Sequence, residues 1–241
     1  MIALRAEHVS FAYRDRHWVV DDITLEVPAG GCLVVLGPSG SGKTTLVKVL
    51  AGLRVPQRGS IEVLGARLGP GAAGPRSQVG YIPQQLGLVR SLSALDNVLV
   101  GGLGRASGLG PLFGWFPRRE RARALELLDF LGVADKADDQ VFRLSGGQRQ
   151  RVAIARTLFQ RPQVVLADEF VSDLDLPRAK QVLTAMRDLG RREGIALVVN
   201  LHDIPLVGDL DGEVIILREG RIVHRGRTSA VDETLACAVM A

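Results

Sequence analysis

Cys32-Leu33-Val34-Val35-Leu36-Gly37-Pro38-Ser39-Gly40-Ser41-Gly42-Lys43-Thr44 decides the fold. Its first five residues are apolar without alternation, as in a strand covered on both faces. The next eight match G-x-x-x-x-G-K-[ST], and from Thr44 to Ala51 the apolar residues Leu46, Val49 and Leu50 have helical spacing that stops at Gly52. A strand, a glycine-rich turn and a helix in this order make a cradle for phosphate. Glycines let successive backbone N–H groups point into one cavity, and the helix start adds partial positive charge. Lys43 is placed to reach the β- and γ-phosphates of a nucleotide, and the Thr44 hydroxyl to ligate Mg²⁺.

Upstream and just downstream of this unit the chain reads as strands. Val9, Phe11 and Tyr13 alternate with smaller residues, Ile23, Leu25 and Val27 do the same, and Ile61 and Val63 follow Gly59-Ser60, which carries a turn signal. The middle changes character. From about Leu86 to Phe142 the β-branched runs thin out and a Gly/Pro-rich stretch runs from Gly101 to Pro117. Ala124, Leu127, Leu128 and Leu131 then form a helical pattern closed by Gly132. This is expected to be a mostly helical insertion. Beyond it, Val164 to Ala167 and Ile195 to Val199 read as buried strands, separated by a helix from Pro177 to Glu193. Val214–Leu217 and Arg221–Val223 flank Glu219-Gly220 as a hairpin. Such alternation predicts an α/β core around a parallel sheet.

Two further segments bear on chemistry. The strand from Val164 ends in Asp168-Glu169, and in an open α/β sheet the carboxyl ends of the strands present groups to the ligand. Alone, the two acids could be solvated or paired with arginine. Downstream of a phosphate loop, Asp168 becomes a candidate for holding Mg²⁺ through water and Glu169 for acting as general base. In Leu144-Ser145-Gly146-Gly147-Gln148, Ser145 and Gln148 have capping-box spacing and could simply start the helix that runs to about Phe159. Two glycines in a first turn cost roughly 1 kcal/mol each relative to alanine, however, and bare N–H groups there would suit an anion.

Composition narrows the class. Of 241 residues, 46% are hydrophobic and 23% charged, the balance of an ordinary folded domain. No apolar run approaches the roughly 18 residues that cross a bilayer, and Met1-Ile2-Ala3-Leu4-Arg5 lacks the layout of a secretory signal. A cytoplasmic protein is expected. The two cysteines, Cys32 and Cys237, have no ligand spacing, so neither a disulfide framework nor a zinc site is expected. The net charge is +4, and the basic residues are spread along the chain with acidic residues between them, which is poor evidence for nucleic acid, and no such partner is expected.

The phosphate loop, the Leu-Ser-Gly-Gly-Gln segment and Asp168-Glu169, in this order and spacing, resemble the nucleotide-binding subunits of ATP-binding-cassette transporters over essentially the whole chain. The resemblance implies a RecA-like P-loop NTPase core with a parallel sheet (residues 1–86 and 142–241), an N-terminal antiparallel β subdomain and a helical subdomain at 87–141. It implies ATP and Mg²⁺ as ligands. Gly37, Pro38, Ser39, Gly40, Ser41, Gly42, Lys43, Thr44 and Thr45 would bind nucleotide, with Tyr13 stacking on adenine. Thr44, Asp168 and Gln84 would serve the metal, and Gln84 would also link it to the helical insertion. Glu169 would be the general base and His202 the histidine contacting the γ-phosphate. Ser172-Asp173-Leu174-Asp175 resembles the loop that crosses to a partner subunit. In the family two subunits pair head to tail, so that Ser145, Gly146, Gly147, Gln148 and Asp175 of one copy complete the nucleotide site of the other.

The implied partners are therefore a second copy of the chain, membrane-spanning permease subunits at the cytoplasmic face of the membrane and, indirectly, an extracytoplasmic solute-binding protein. Asp96 to Gly101, Leu112 to Pro117 and Asn200-Leu201-His202-Asp203 are similar to the ATPase subunits of phosphonate importers. A soluble cassette ATPase, or an ATP-dependent regulator with a non-membrane partner, is the alternative. The chain departs from the family pattern in three places: Phe170 follows the glutamate where proline is usual, Asp173 replaces a small residue, and Leu176 precedes Pro177 where proline would come first. Asp173 is expected to place a charge near the dimer seam and make ATP-driven association sensitive to salt.

Overall fold

The computed structural model describes residues 1–14, 17–69, 76–105, 115–172 and 174–231. The expectations for Cys237, Asp173 and Leu112-Phe113-Gly114 fall outside the described residues. In chain order the elements are β1 (Ile2–Phe11), β2 (Val20–Pro28), β3 (Cys32–Leu36), α1 (Lys43–Leu50), β4 (Arg58–Val63), β5 (Ala66–Arg67) and β6 (Val79–Ile82). There follow α2 (Ala94–Val100), α3 (Arg118–Phe130), α4 (Gly146–Phe159), β7 (Val164–Asp168), α5 (Leu176–Glu193), β8 (Ala196–Asn200), β9 (Glu213–Arg218) and β10 (Arg221–Arg227).

Two sheets result. An antiparallel sheet has the order β2-β1-β4-β5, and a six-stranded sheet the order β10-β9-β3-β8-β7-β6. In the larger sheet β9, β3, β8, β7 and β6 run parallel and β10 closes antiparallel on β9 as the expected hairpin. The fully buried runs of β3, β7 and β8 belong to its interior strands, where both faces are covered.

Alternation along β3 divides the core. Leu33 and Val35 face α1 and the antiparallel sheet, while Cys32, Val34 and Leu36 face the helices on the other side. In β2 the pattern slips once. Asp22 sits at φ 53° and the register to β1 shifts there, so Val20 and Ile23 are both buried.

Gly59 departs from its reading as a turn. It lies inside β4 at φ +78°, opposite a register shift in β1, and a Cβ would stand 2.2 Å from the Glu7 carbonyl oxygen. The glycine serves a bulge within the sheet rather than a reversal between strands. Tyr13 lies beyond the end of β1, and Ile195 just before β8. In the middle segment, α3 ends at Phe130 and the chain leaves it through Gly132 at φ +67°, as the pattern predicts. Ala124 and Leu128 of α3 and Val152, Ala153 and Ile154 of α4 share one buried cluster with α2.

Candidate functional site

The carboxyl ends of the parallel strands converge on the turn after β3. The loop residues Gly37 to Gly42 leave β3 and enter α1 at Lys43. Gly42 caps the helix at φ +100°, where a Cβ would stand 2.3 Å from the Val19 carbonyl oxygen, so only glycine fits without displacing that strand end. The loop is tied down from below by the Gly220 N–H, which donates to the Ser41 carbonyl at 3.0 Å.

Lys43 is only 5% exposed. Its ammonium donates to the carbonyls of Gly37 at 2.8 Å and Pro38 at 3.1 Å, folded back over its own loop. Burial holds its pKa below the ordinary lysine value, while the charges of Glu169 and Asp168 act in the opposite direction. A cation held this way is poised to exchange two carbonyls for phosphate oxygens, a charge-assisted and stronger pairing. The buried Ser41 hydroxyl in the same loop has no hydrogen-bond partner among the described residues.

Asp168, 2% exposed, closes β7. Its Oδ1 accepts from the Thr44 hydroxyl at 2.9 Å and from the Asn200 amide at 2.7 Å. The second contact follows from register, since Asp168 and Asn200 are paired residues of β7 and β8. Sequence reasoning does not single out Asn200 for the site, because only strand pairing makes it Asp168's neighbour. Tyr81 on β6 completes this buried corner, its phenol pushed up to about 12 by burial and the Asp168 charge.

Glu169 follows β7 in the left-handed region at φ 48° and carries its carboxylate out of the sheet. Gln84, beyond β6, donates its amide to Oε2 at 3.1 Å. His202, beyond β8 and 39% exposed on its side chain, meets Oε1 through Nε2. Three loops thus meet on one carboxylate. A cavity of about 320 Å³ opens in front of it, lined by Val19, Ser39, Gly40, Gly42, Lys43, Thr44, Thr45, Glu169 and His202.

Tyr13, 54% exposed, stands beside this cavity with its hydroxyl 3.3 Å from Thr45 Oγ1 and its ring edge-on to Phe11. The Arg54 guanidinium lies over the same ring, 5.9 Å from its centroid. Ser145, Gly146, Gly147, Gln148 and Asp175 are not brought to the cavity. Ser145 and Gln148 form the full capping box at the start of α4, with the Ser145 N–H donating to Gln148 Oε1 at 2.8 Å and the Gln148 N–H to Ser145 Oγ at 3.3 Å. Asp175 caps α5 by accepting from the Arg178 N–H at 3.0 Å. Phe170 is buried, and its carbonyl accepts from the amide of Gln150 on α4, a residue that motif reading also missed. Leu176 opens α5, with Pro177 following inside its first turn.

Among the described residues, no three His, Cys, Asp or Glu side chains are arranged to hold a metal by themselves. The oxygen donors Thr44 Oγ1 and Asp168 Oδ1, 2.9 Å apart, are instead hard donors of the kind that suits Mg²⁺.

A glycine-rich loop after β3, a buried lysine at a helix start and a carboxylate pair at the end of β7, with β8 between the two strands, define a P-loop nucleotide-binding protein. Residues 20–172 match the sequence profile of the ABC transporter family. The Phosphonates import ATP-binding protein PhnC of Bdellovibrio bacteriovorus is 40% identical over 235 residues, which cover 95% of this chain and 90% of that protein. The protein of the same name from Thiobacillus denitrificans is 38% identical over 227 residues, covering 94% and 88%. A solved dimer of the ATP-binding cassette MJ0796, in a post-hydrolysis state bound to ADP and Pi, superposes with a TM-score of 0.83 at 27% identity, over 93% of this chain and 98% of that one. The chain belongs to the ABC transporter family and is an ATP-binding, ATP-hydrolysing cassette. No helix among the described residues is long and apolar enough to cross a membrane.

Proposed function

We propose that this cassette powers uptake of phosphonates or a related oxyanion, working as a homodimer on membrane-spanning permease subunits at the cytoplasmic face of the membrane. The solute class rests on the similarity to phosphonate-import proteins, which also favours a membrane partner over a soluble one. An extracytoplasmic solute-binding protein would act through the permease. The helical subdomain, residues 87–141, is the part that reaches the permease.

The observation that carries the ATPase reading is Glu169, held by Gln84 and His202 at the mouth of the phosphate-loop cavity. With ATP bound, the loop N–H groups and Lys43 take the phosphates and Tyr13 stacks on adenine. Thr44, Asp168 and Gln84 would hold Mg²⁺, which would supply positive charge to offset that of the phosphates. Glu169 accepts a proton from the attacking water. His202 turns its ring toward the γ-phosphate, and the bond to the ADP leaving group breaks as the water oxygen bonds to phosphorus. The second copy supplies Ser145 to Gln148 and Asp175, which explains why these residues sit in helix caps away from their own cavity.

Glu169→Gln tests the assignment. Steady-state hydrolysis should fall by about 10²-fold or more, within the usual worth of a general base, while ATP still binds. Hydrolysis at the wild-type rate would remove Glu169 from the role.

A further inference from the structure

Helix α4 touches both the turn beyond Gln84 and the chain directly after Glu169. Arg156, near its carboxyl end, donates Nη2 to the Leu86 carbonyl at 2.7 Å and Nη1 to the Gly87 carbonyl at 2.6 Å. These carbonyls lie two and three residues beyond Gln84. Leu86 and Gly87 both sit at φ 60°, a conformation that leucine does not adopt without support. The turn has its own backbone bonds, from the Leu86 N–H to the Pro83 carbonyl at 2.8 Å and from the Gly87 N–H to the Gln85 carbonyl at 2.7 Å, and the guanidinium fork ties it to α4.

Burial lowers the Arg156 pKa, so this cation is held among peptide dipoles at a desolvation cost. Its own backbone is closely packed as well. A Cβ on Gly101, at the end of α2, would fall 2.2 Å from the Arg156 carbonyl oxygen. The second tether is Gln150, 2% exposed, whose amide donates to the carbonyl of Phe170, the residue directly after Glu169. Gln150 and Arg156 are six positions apart, which is about 9 Å along a helix.

We infer that Arg156 and Gln150 are positioning residues through which α4 sets the contact between Gln84 and Glu169, so that displacement of the Ser145–Gln148 end of the helix is carried to the general base. This rests on the reading of Glu169 as base and Gln84 as its partner. Neither Arg156 nor Gln150 lines the phosphate-loop cavity, so neither should affect nucleotide binding directly.

A double-mutant cycle on the full chain tests the inference, with MgATP hydrolysis as the readout for Arg156→Ala, Gln84→Ala and the pair. Arg156→Ala should lower kcat about tenfold with KM for ATP within about twofold, since a loop misplaced by about 1 Å loses orientation rather than binding. In the Gln84→Ala background the same change should cost less than about twofold, because residues acting through one another are not additive. Added guanidinium at about 10 mM should restore part of the Arg156→Ala rate, the free ion supplying the planar fork that the side chain lost. Gln150→Leu, which deletes the amide and keeps the bulk, should likewise lower kcat and leave KM unchanged.

Wild-type kcat in Arg156→Ala, or losses that multiply in the double mutant, would overturn the inference. If Arg156→Ala does not fold, Arg156→Lys serves in the same cycle. An ammonium grips as a point charge rather than a fork, so kcat should again fall and the fall should shrink without Gln84; a wild-type rate overturns the inference equally. The two readings fail separately. Wild-type hydrolysis in both Glu169→Gln and Gln84→Ala defeats the base assignment, whereas loss in both of these with Arg156→Ala at the wild-type rate defeats only the role given to α4.

Discussion

Asn200 sends its amide 2.7 Å to Asp168, deep in the sheet, and is itself fully buried. Replacing it with leucine preserves bulk and removes a donor from a buried carboxylate, which should cost about 2 kcal/mol in urea unfolding. Asp168 would then keep the Thr44 hydroxyl as its donor at 2.9 Å. Half-maximal hydrolysis should need several times more Mg²⁺ in Asn200→Leu, measured by Mg²⁺ titration of the ATPase rate. Unchanged stability together with an unchanged Mg²⁺ requirement would contradict this account of the corner. Lys43, Thr44, Asp168 and Glu169 were legible as letters in order, because each belongs to a short motif whose chemistry demands its residue type. Gln84 and His202 were legible only through the family pattern. The site roles of Asn200 and Gln150 were not legible: one acquires its role from the register of β7 on β8, the other from how α4 packs, and neither is written locally.

Among the elements, β4 shows where local reading fails. Gly59-Ser60 carries turn chemistry, yet the positive φ serves a bulge inside a paired strand. Gly59→Ala would combine a left-handed backbone with a Cβ against two carbonyl oxygens, so it should destabilise by at least about 2 kcal/mol. Urea unfolding checks this, and a loss of less than about 0.5 kcal/mol, the size of an ordinary surface substitution, would mean that the bulge relaxes freely. β3, by contrast, was legible because an unalternated apolar run has few other places in a fold.

The same strand buries Cys32, whose thiol pKa is pushed up to about 12 by burial, against the opposing charges of Arg187 and Arg191. The folded state keeps this proton longer than the unfolded chain does. The associated stability is therefore intact below pH 9 and drains away as pH rises toward 12. At pH 8 Cys32 should resist iodoacetamide in the native protein and react on unfolding, read by mass spectrometry of the Cys32 peptide. Rapid native labelling would show that the strand opens.

At the scale of the whole molecule, the two sheets and the helical layer place the phosphate loop, Glu169 and His202 around one cavity, with Asp168 bonded to Thr44 and Gln84 to Glu169 behind its lining, and leave Ser145–Gln148 and Asp175 elsewhere. The order of elements and the α/β class were legible in the alternation of strand and helix patterns. The proposed sharing of the site between two copies was legible only through the family resemblance, because no periodicity records which residues would face a second molecule. In the proposed dimer each copy would supply half of each site, and ATP between two copies would join phosphate loop to helix start.

Light scattering on size-exclusion chromatography of the Glu169→Gln variant, with MgATP, MgADP or no nucleotide, tests that claim most directly. The account predicts twice the chain mass with MgATP and the single-chain mass in the other two conditions. The same mass in all three conditions, with ATP shown to be bound and permease subunits present, would contradict it.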